Sequence, residues 1–129
     1  MIPIFLLVVY SCSPEEEKQA PNSGTSFGLD VTNSNSSDYI LSGTDRNGII
    51  SGNDPDIVFN VGDTINFFNN TVLPFYLKTK AGTGTGNAIS SVINNGTTNQ
   101  TITWTPKVTG TFYYQCSFHL GMAGTITIQ

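Results

Sequence analysis

The sequence predicts an all-β domain, an antiparallel sandwich or barrel of seven or eight short strands, and three observations lead there. Thr, Asn, Ser and Gly dominate the polar positions, and no long helical pattern of Ala, Glu, Lys and Leu occurs in the 129 residues. Short runs rich in branched and aromatic residues recur at close spacing, separated by clusters of turn formers. Within several runs, apolar and polar residues alternate with a period of two, the mark of a sheet with one dry face. The length suits one domain with a modest core. Charged residues make up 11% of the chain and the net charge is -4, so the basic footprint of a nucleic-acid binder is absent. The mild acidity favours solubility and basic partners.

Taken in order, residues 2–10, "IPIFLLVVY", are continuously apolar and too short to span a bilayer as a helix. They have the length of the apolar region of a secretory signal peptide, although no Lys or Arg follows Met1. The alternative is a buried N-terminal strand, which sits poorly before the acidic run "SPEEEKQAPNSG". The stretch "VYSC" resembles a bacterial lipoprotein cleavage box. That resemblance makes residues 1–11 a signal peptide and Cys12 the lipidated first residue of an exported, membrane-anchored protein. Residues 13–26 read as a flexible tether, and 27–129 as the folded domain. Strands are expected at 27–31, 38–43, 56–61, 64–69, 74–79, 100–105, 110–116 and 124–129. Asp45-Arg46-Asn47-Gly48, Gly52-Asn53-Asp54-Pro55 and Asn94-Asn95-Gly96 mark turns. "NAISSVINN" at 87–95 has the spacing of a short helical turn, and the glycine-rich "KAGTGTGN" at 80–87 reads as a mobile surface loop lacking the ending of a phosphate loop.

Alternation also indicates which side chains point inward. Ile102 and Trp104 alternate with threonines, as do Ile126 and Ile128. Phe112, Tyr114 and Cys116 share a face, so Cys116 ends a core strand with its thiol directed inward. The loop that follows reads "CSFHLGM", and Cys116, His119 and Met122 are the last Cys, His and Met of a chain that has two, one and two of them. With Cys12 taken by lipid, Cys116 has no disulfide partner, and an unpaired thiol in an oxidising compartment calls for a claimant. Thiolate, imidazole and thioether together suit copper, Cu(I) above all. Zn(II) with Cys116, His119 and water is a poorer match, because a thioether is a weak zinc ligand. A Cys116–His119 nucleophilic pair lacks any third orienting group, so an enzyme is not expected. The bland alternative is an incidental trio on a surface or adhesion module.

"YYQC", His119, Met122 and "AGTITI" together resemble the C-terminal copper loop of the cupredoxins, the plastocyanin and azurin family. The Cys-x-x-His-x-x-Met spacing is similar to amicyanin's short form. "VGDTINFFNN" at 61–70 resembles the strand leading to that family's other histidine. The resemblance covers about Val58 to Gln129 well and residues 27–57 loosely. It implies a two-sheet Greek-key β-sandwich, a mononuclear copper, one-electron transfer to a redox partner protein in the cell envelope, and a monomer that meets the membrane through its lipid alone. Residue by residue, it makes Cys116 the thiolate ligand, His119 the solvent-edge imidazole and Met122 the axial thioether. The upstream histidine is missing, since His119 is the only one in the chain. In "LPFYLK" at 73–78 its place is expected at Leu73, with Phe75 as the alternative register. A degenerate relative that carries Cu(I), or a plain binding module, is the competing reading.

Overall fold

The computed structural model describes residues 24–129. The expected signal peptide, Cys12 and most of the tether fall on residues 1–23, outside the described residues. Nine strands form: β1 (Ser26–Thr32), β2 (Ile40–Asp45), β3 (Gly48–Ile50), β4 (Ile57–Phe59), β5 (Thr64–Asn69), β6 (Phe75–Lys78), β7 (Thr101–Trp104), β8 (Gly110–Cys116) and β9 (Ala123–Ile128). They build one sheet in the order β3-β2-β1-β5-β7 and a second in the order β4-β9-β8-β6. The all-β expectation holds, and β5 and β8 have the expected bounds. The first strand starts at Ser26, one residue before the expected boundary, and the preceding Thr25 N–H already donates to Asp63 at 2.9 Å.

The pairing differs from a purely antiparallel one. β1 runs parallel to β5, with Leu29 opposite Phe67, and β4 runs parallel to β9, with Ile57 opposite Ile126. A chain that crosses between sheets can re-enter beside an earlier strand in the same direction. Alternation of apolar and polar residues encodes the buried face and carries no sign of strand direction. The extra strand, β3, closes a hairpin over the Asp45-Arg46-Asn47-Gly48 turn. Its central Ile49 is 88% exposed, so no burial pattern announced it.

The core lies between the sheets and follows the alternation. Leu29 and Val31, Ile65 and Phe67, and Ile102 and Trp104 point inward from the first sheet. Ile57 and Phe59, Phe75 and Leu77, Tyr114 and Cys116, and Ile126 and Ile128 meet them from the second. Each fully buried aliphatic or aromatic side chain contributes about 1.5–3 kcal/mol relative to exposure, which is what holds short strands with few local contacts together. Tyr114 also places its hydroxyl, donating to the Pro55 carbonyl at 2.6 Å. Gly124 lies flat against that phenol, and a Cβ there would overlap it. A larger residue at 124 would therefore push β9 off β8.

The expected helical turn at 87–95 is replaced by turns pinned by two isolated bridges, Lys78 to Ala88 and Ile93 to Thr103. The Asn95 carboxamide explains why. Its Oδ1 accepts from Leu77 N–H at 2.7 Å, and its Nδ2 donates to Leu77 and Ile89 carbonyls at 2.9 and 3.1 Å. Asn95 thus serves Leu77 at the edge of β6, and backbone bonds from Ile89 to Leu77 and from Gly96 to Phe75 complete that edge. At another point of the fold Asp63 is a second staple: fully buried, it accepts from Arg46 Nη2 at 2.6 Å, Arg46 Nε at 3.0 Å and Asn60 N–H at 2.7 Å. The Arg46 guanidinium beside it lowers the Asp63 pKa to about 2.

Candidate metal centre

Cys116 is the last residue of β8 and Met122 immediately precedes β9, so both ends of the connecting loop are fixed by the sheet. Cys116 N–H donates to the Met122 carbonyl at 2.9 Å, which closes the loop at its base. Met122 N–H donates to the His119 carbonyl at 3.1 Å and turns the chain over His119. The thiol and the imidazole are thereby brought together, with Cys116 Sγ 3.6 Å from His119 Nδ1. Cys116 and Met122 are both fully buried and belong to the core, whereas His119 is half-buried. Phe118 and Leu120, which flank His119, are 67% and 71% exposed.

The 3.6 Å separation tests whether these donors fit a shared ion. At bond lengths of about 2.3 Å to sulfur and 2.0–2.1 Å to imidazole nitrogen, it subtends about 110–115° at the ion. That is a normal angle for a tetrahedral or flattened site. The Cys and the buried Met are soft sulfur donors and the His a borderline nitrogen donor, a set suited to copper. Among the described residues, no group of three or more His, Cys, Asp and Glu side chains converges, at this loop or elsewhere.

On the far side of the thiol the structure departs from the expected register. Phe75, the first residue of β6, is the cross-strand partner of Cys116 and shares its inward face. Leu73 lies before the strand, half-buried, in a turn where Asn69 Nδ2 and the Thr71 hydroxyl donate to its carbonyl at 2.9 and 3.1 Å. Phe75 and not Leu73 therefore faces Cys116. Its ring is fully buried, 4.9 Å from Tyr39, 5.0 Å from Phe67 and stacked on Tyr114 at 5.3 Å. Instead of an open coordination position, the thiol has a wall of rings beside it.

Sequence reasoning also missed Tyr39. This buried phenol donates to the Pro74 carbonyl and lies beside the Cys116 thiol. Burial pushes its pKa far above the ordinary value, and Cys116 adds to the effect, so it stays a neutral donor there. Nothing in "SDYIL" distinguishes Tyr39 from any other strand aromatic, because its role depends on a neighbour 77 positions away. The glycine-rich segment is also more than an exposed loop. Gly82 N–H donates to Gln115 Oε1 at 3.0 Å and Gly84 N–H to the Ser117 carbonyl at 2.8 Å, which ties it to the Cys–Met loop.

Two sheets in this strand order form a β-sandwich whose fold is that of cupredoxin structures. Among solved structures the chain is similar to rusticyanin from Thiobacillus ferrooxidans, at 16% identity, with 81% of this chain and 76% of that one covered and a TM-score of 0.50. It is also similar to reduced rusticyanin, at 17% identity, 87% of each chain and a TM-score of 0.51. A reduced Cu(I) form of an amicyanin variant matches at 20% identity, 81% of this chain and 82% of that one, with a TM-score of 0.49. At such identities the likeness is one of fold. No protein-family model matches the chain, and no curated protein sequence matches it significantly.

Proposed function

We propose that this chain is an exported, lipid-anchored copper-binding protein of the bacterial cell envelope, holding Cu(I) with Cys116, His119 and Met122. The observation that carries the reading is the approach of Cys116 Sγ to His119 Nδ1 at 3.6 Å, in a loop whose third soft donor, Met122, is buried with the thiol. Its support outside the chain is a fold shared with rusticyanin, itself described as a copper protein. Bound copper would supply one-electron chemistry at this end of the sandwich. The residues do the rest: Cys116 and Met122 offer sulfur from a water-free interior, and half-buried His119 forms the edge towards solvent.

Two roles fit such a site. One is electron transfer to a redox partner protein, which needs both oxidation states to be held without rearrangement. The other is carriage of Cu(I). Phe75 favours the second, because a stable Cu(II)–thiolate site needs a second imidazole, and here a fully buried ring occupies that side. Turnover of a substrate is not part of either role. Anaerobic Cu(I) titration of the full chain, followed by oxidation under absorption and EPR, tests the reading. One equivalent of tightly held, colourless Cu(I) with no stable coloured Cu(II) form is the expected result. A reversible coloured form would instead establish the electron carrier, and no uptake of Cu(I) would end the copper reading.

A further inference from the structure

Two polar side chains on the second sheet are buried where water should be. Lys78 and Gln115 point to its outer face, opposite in sense to Phe75 and Cys116, and outer-face positions of a sandwich are ordinarily wet. Yet Gln115 is fully buried and Lys78 is 1% exposed. The cover is the glycine-rich segment, whose backbone folds back over both. Lys78 Nζ donates to the Gly82 and Gly84 carbonyls at 2.7 and 2.8 Å and lies 5.7 Å from the Tyr76 ring centre. Among the described residues no carboxylate pairs with it, and its hydrogen bonds go to the strap.

Beneath the strap the Gln115 carboxamide reaches in two directions. Its Oε1 accepts from Gly82 N–H at 3.0 Å. Its Nε2 points to three carbonyls of the neighbouring loop: Cys116 at 3.0 Å, His119 at 2.9 Å and Leu120 at 3.2 Å. That loop has little apolar anchorage of its own between Cys116 and Met122, since Phe118 and Leu120 face outward. The carboxamide thus gathers the Cys116, His119 and Leu120 carbonyls, in addition to the backbone bonds that Met122 makes to Cys116 and His119.

We propose that Gln115 is the positioning residue of the ligand loop, setting the Cys116–His119 separation before any metal arrives. Lys78 acts through it, by clamping residues 82–84 as a roof that keeps water from its carboxamide. The inference rests on the metal-binding reading of Cys116, His119 and Met122, and it adds that the site is preformed. Preformed donors need no ordering on binding, so affinity depends on the latch.

The test uses the full chain, Gln115→Leu, and Ag(I) as a redox-inert soft probe. The Leu variant removes the carboxamide from the Cys116 and Leu120 carbonyls and from Gly82 N–H, and leaves the His119 carbonyl with Met122 N–H alone, while keeping the bulk of the side chain. Each lost hydrogen bond is worth a several-fold change in an equilibrium, so two readouts should move about tenfold or more. Ag(I) affinity falls, and the amides of Cys116 and Met122 exchange faster relative to the slowest amides of β1 and β5. Ile102→Val, which loosens the first sheet away from the loop, should change neither. Ag(I) affinity within about twofold of the native value in a folded Gln115→Leu chain overturns the proposal, as does an equal loss in Ile102→Val. Should Gln115→Leu fail to fold, Lys78→Met provides the same two readouts, with smaller changes in the same direction expected and no change overturning the idea. A native chain that takes up no Ag(I) or Cu(I) defeats the copper reading alone. The exchange measurement then still decides whether Gln115 holds the loop.

Discussion

Replacing Phe75 by His places an imidazole directly across the strand pair from Cys116, on the same inward face. The change has a cost and a return that can be estimated separately. Phe75 is fully buried against Tyr39, Phe67 and Tyr114. Truncating such a ring to Ala costs about 3–5 kcal/mol, and an imidazole keeps part of the packing while adding a polar group without a partner. The metal-free variant should therefore lose about 2–4 kcal/mol, lowering its Tm by about 10 °C or more. A domain with the ordinary stability of about 5–15 kcal/mol survives that loss. Cu(II) at a hundredfold excess over its Kd returns about 2.7 kcal/mol, so the melting point should recover by a similar amount. The native chain should show little such response. Differential scanning calorimetry with and without Cu(II), beside visible absorption, measures both sides, and an intense thiolate-to-copper colour should appear only in Phe75→His. Leu73→His serves as the control, since its turn lies outside the strand facing the thiol. It should stay colourless and cost less than Phe75→His, because Leu73 is half-buried at the margin of the core and not within it. Colour in Leu73→His and none in Phe75→His would refute the register drawn from the β6–β8 pairing. With both variants folded and neither coloured, neither position completes a Cu(II) site with Cys116 and His119.

Three further outcomes are expected. Asp63, held to a pKa of about 2 by Arg46, contributes stability that is complete above its unfolded value and lost as pH falls through the folded one. About 2 kcal/mol should therefore disappear between about pH 4 and pH 2, and Asp63→Asn should flatten the curve there in urea melts; an unchanged slope counts against the staple. Cys116, being fully buried, should react slowly with a thiol reagent, and Ag(I) should slow it further. Labelling read at the Cys116 peptide that is equal with and without metal would remove this residue from the ligand set. Mass spectrometry of the mature protein should find Cys12 at the N-terminus carrying the several acyl chains that stable anchoring requires, and an unmodified chain that starts elsewhere would sink the anchor.

Much of this protein was written in local pattern. The alternation at 102–105 and 125–128 put Ile102, Trp104, Ile126 and Ile128 inside, and there they are. The end of β8 and the inward thiol followed from the parity of Phe112, Tyr114 and Cys116, because a side-chain period of two needs no knowledge of the partner strand. The approach of the Cys116 thiol to the His119 imidazole followed from their spacing in one short loop. What the pattern lacked was everything set by distant partners. The parallel pairs β1–β5 and β4–β9 arise from crossings between sheets, and strand direction leaves no trace in alternation. The choice between Leu73 and Phe75 turned on register, where both residues have the right parity and only pairing with β8 separates them. Gln115 and Lys78 occupy outer-face positions of the second sheet and are buried because the glycine-rich strap closes over them. Local sequence thus determined which faces are dry and which donors share a loop. Long-range pairing decided what stands beside the thiol and what holds that loop, since those contacts join residues that the chain keeps far apart.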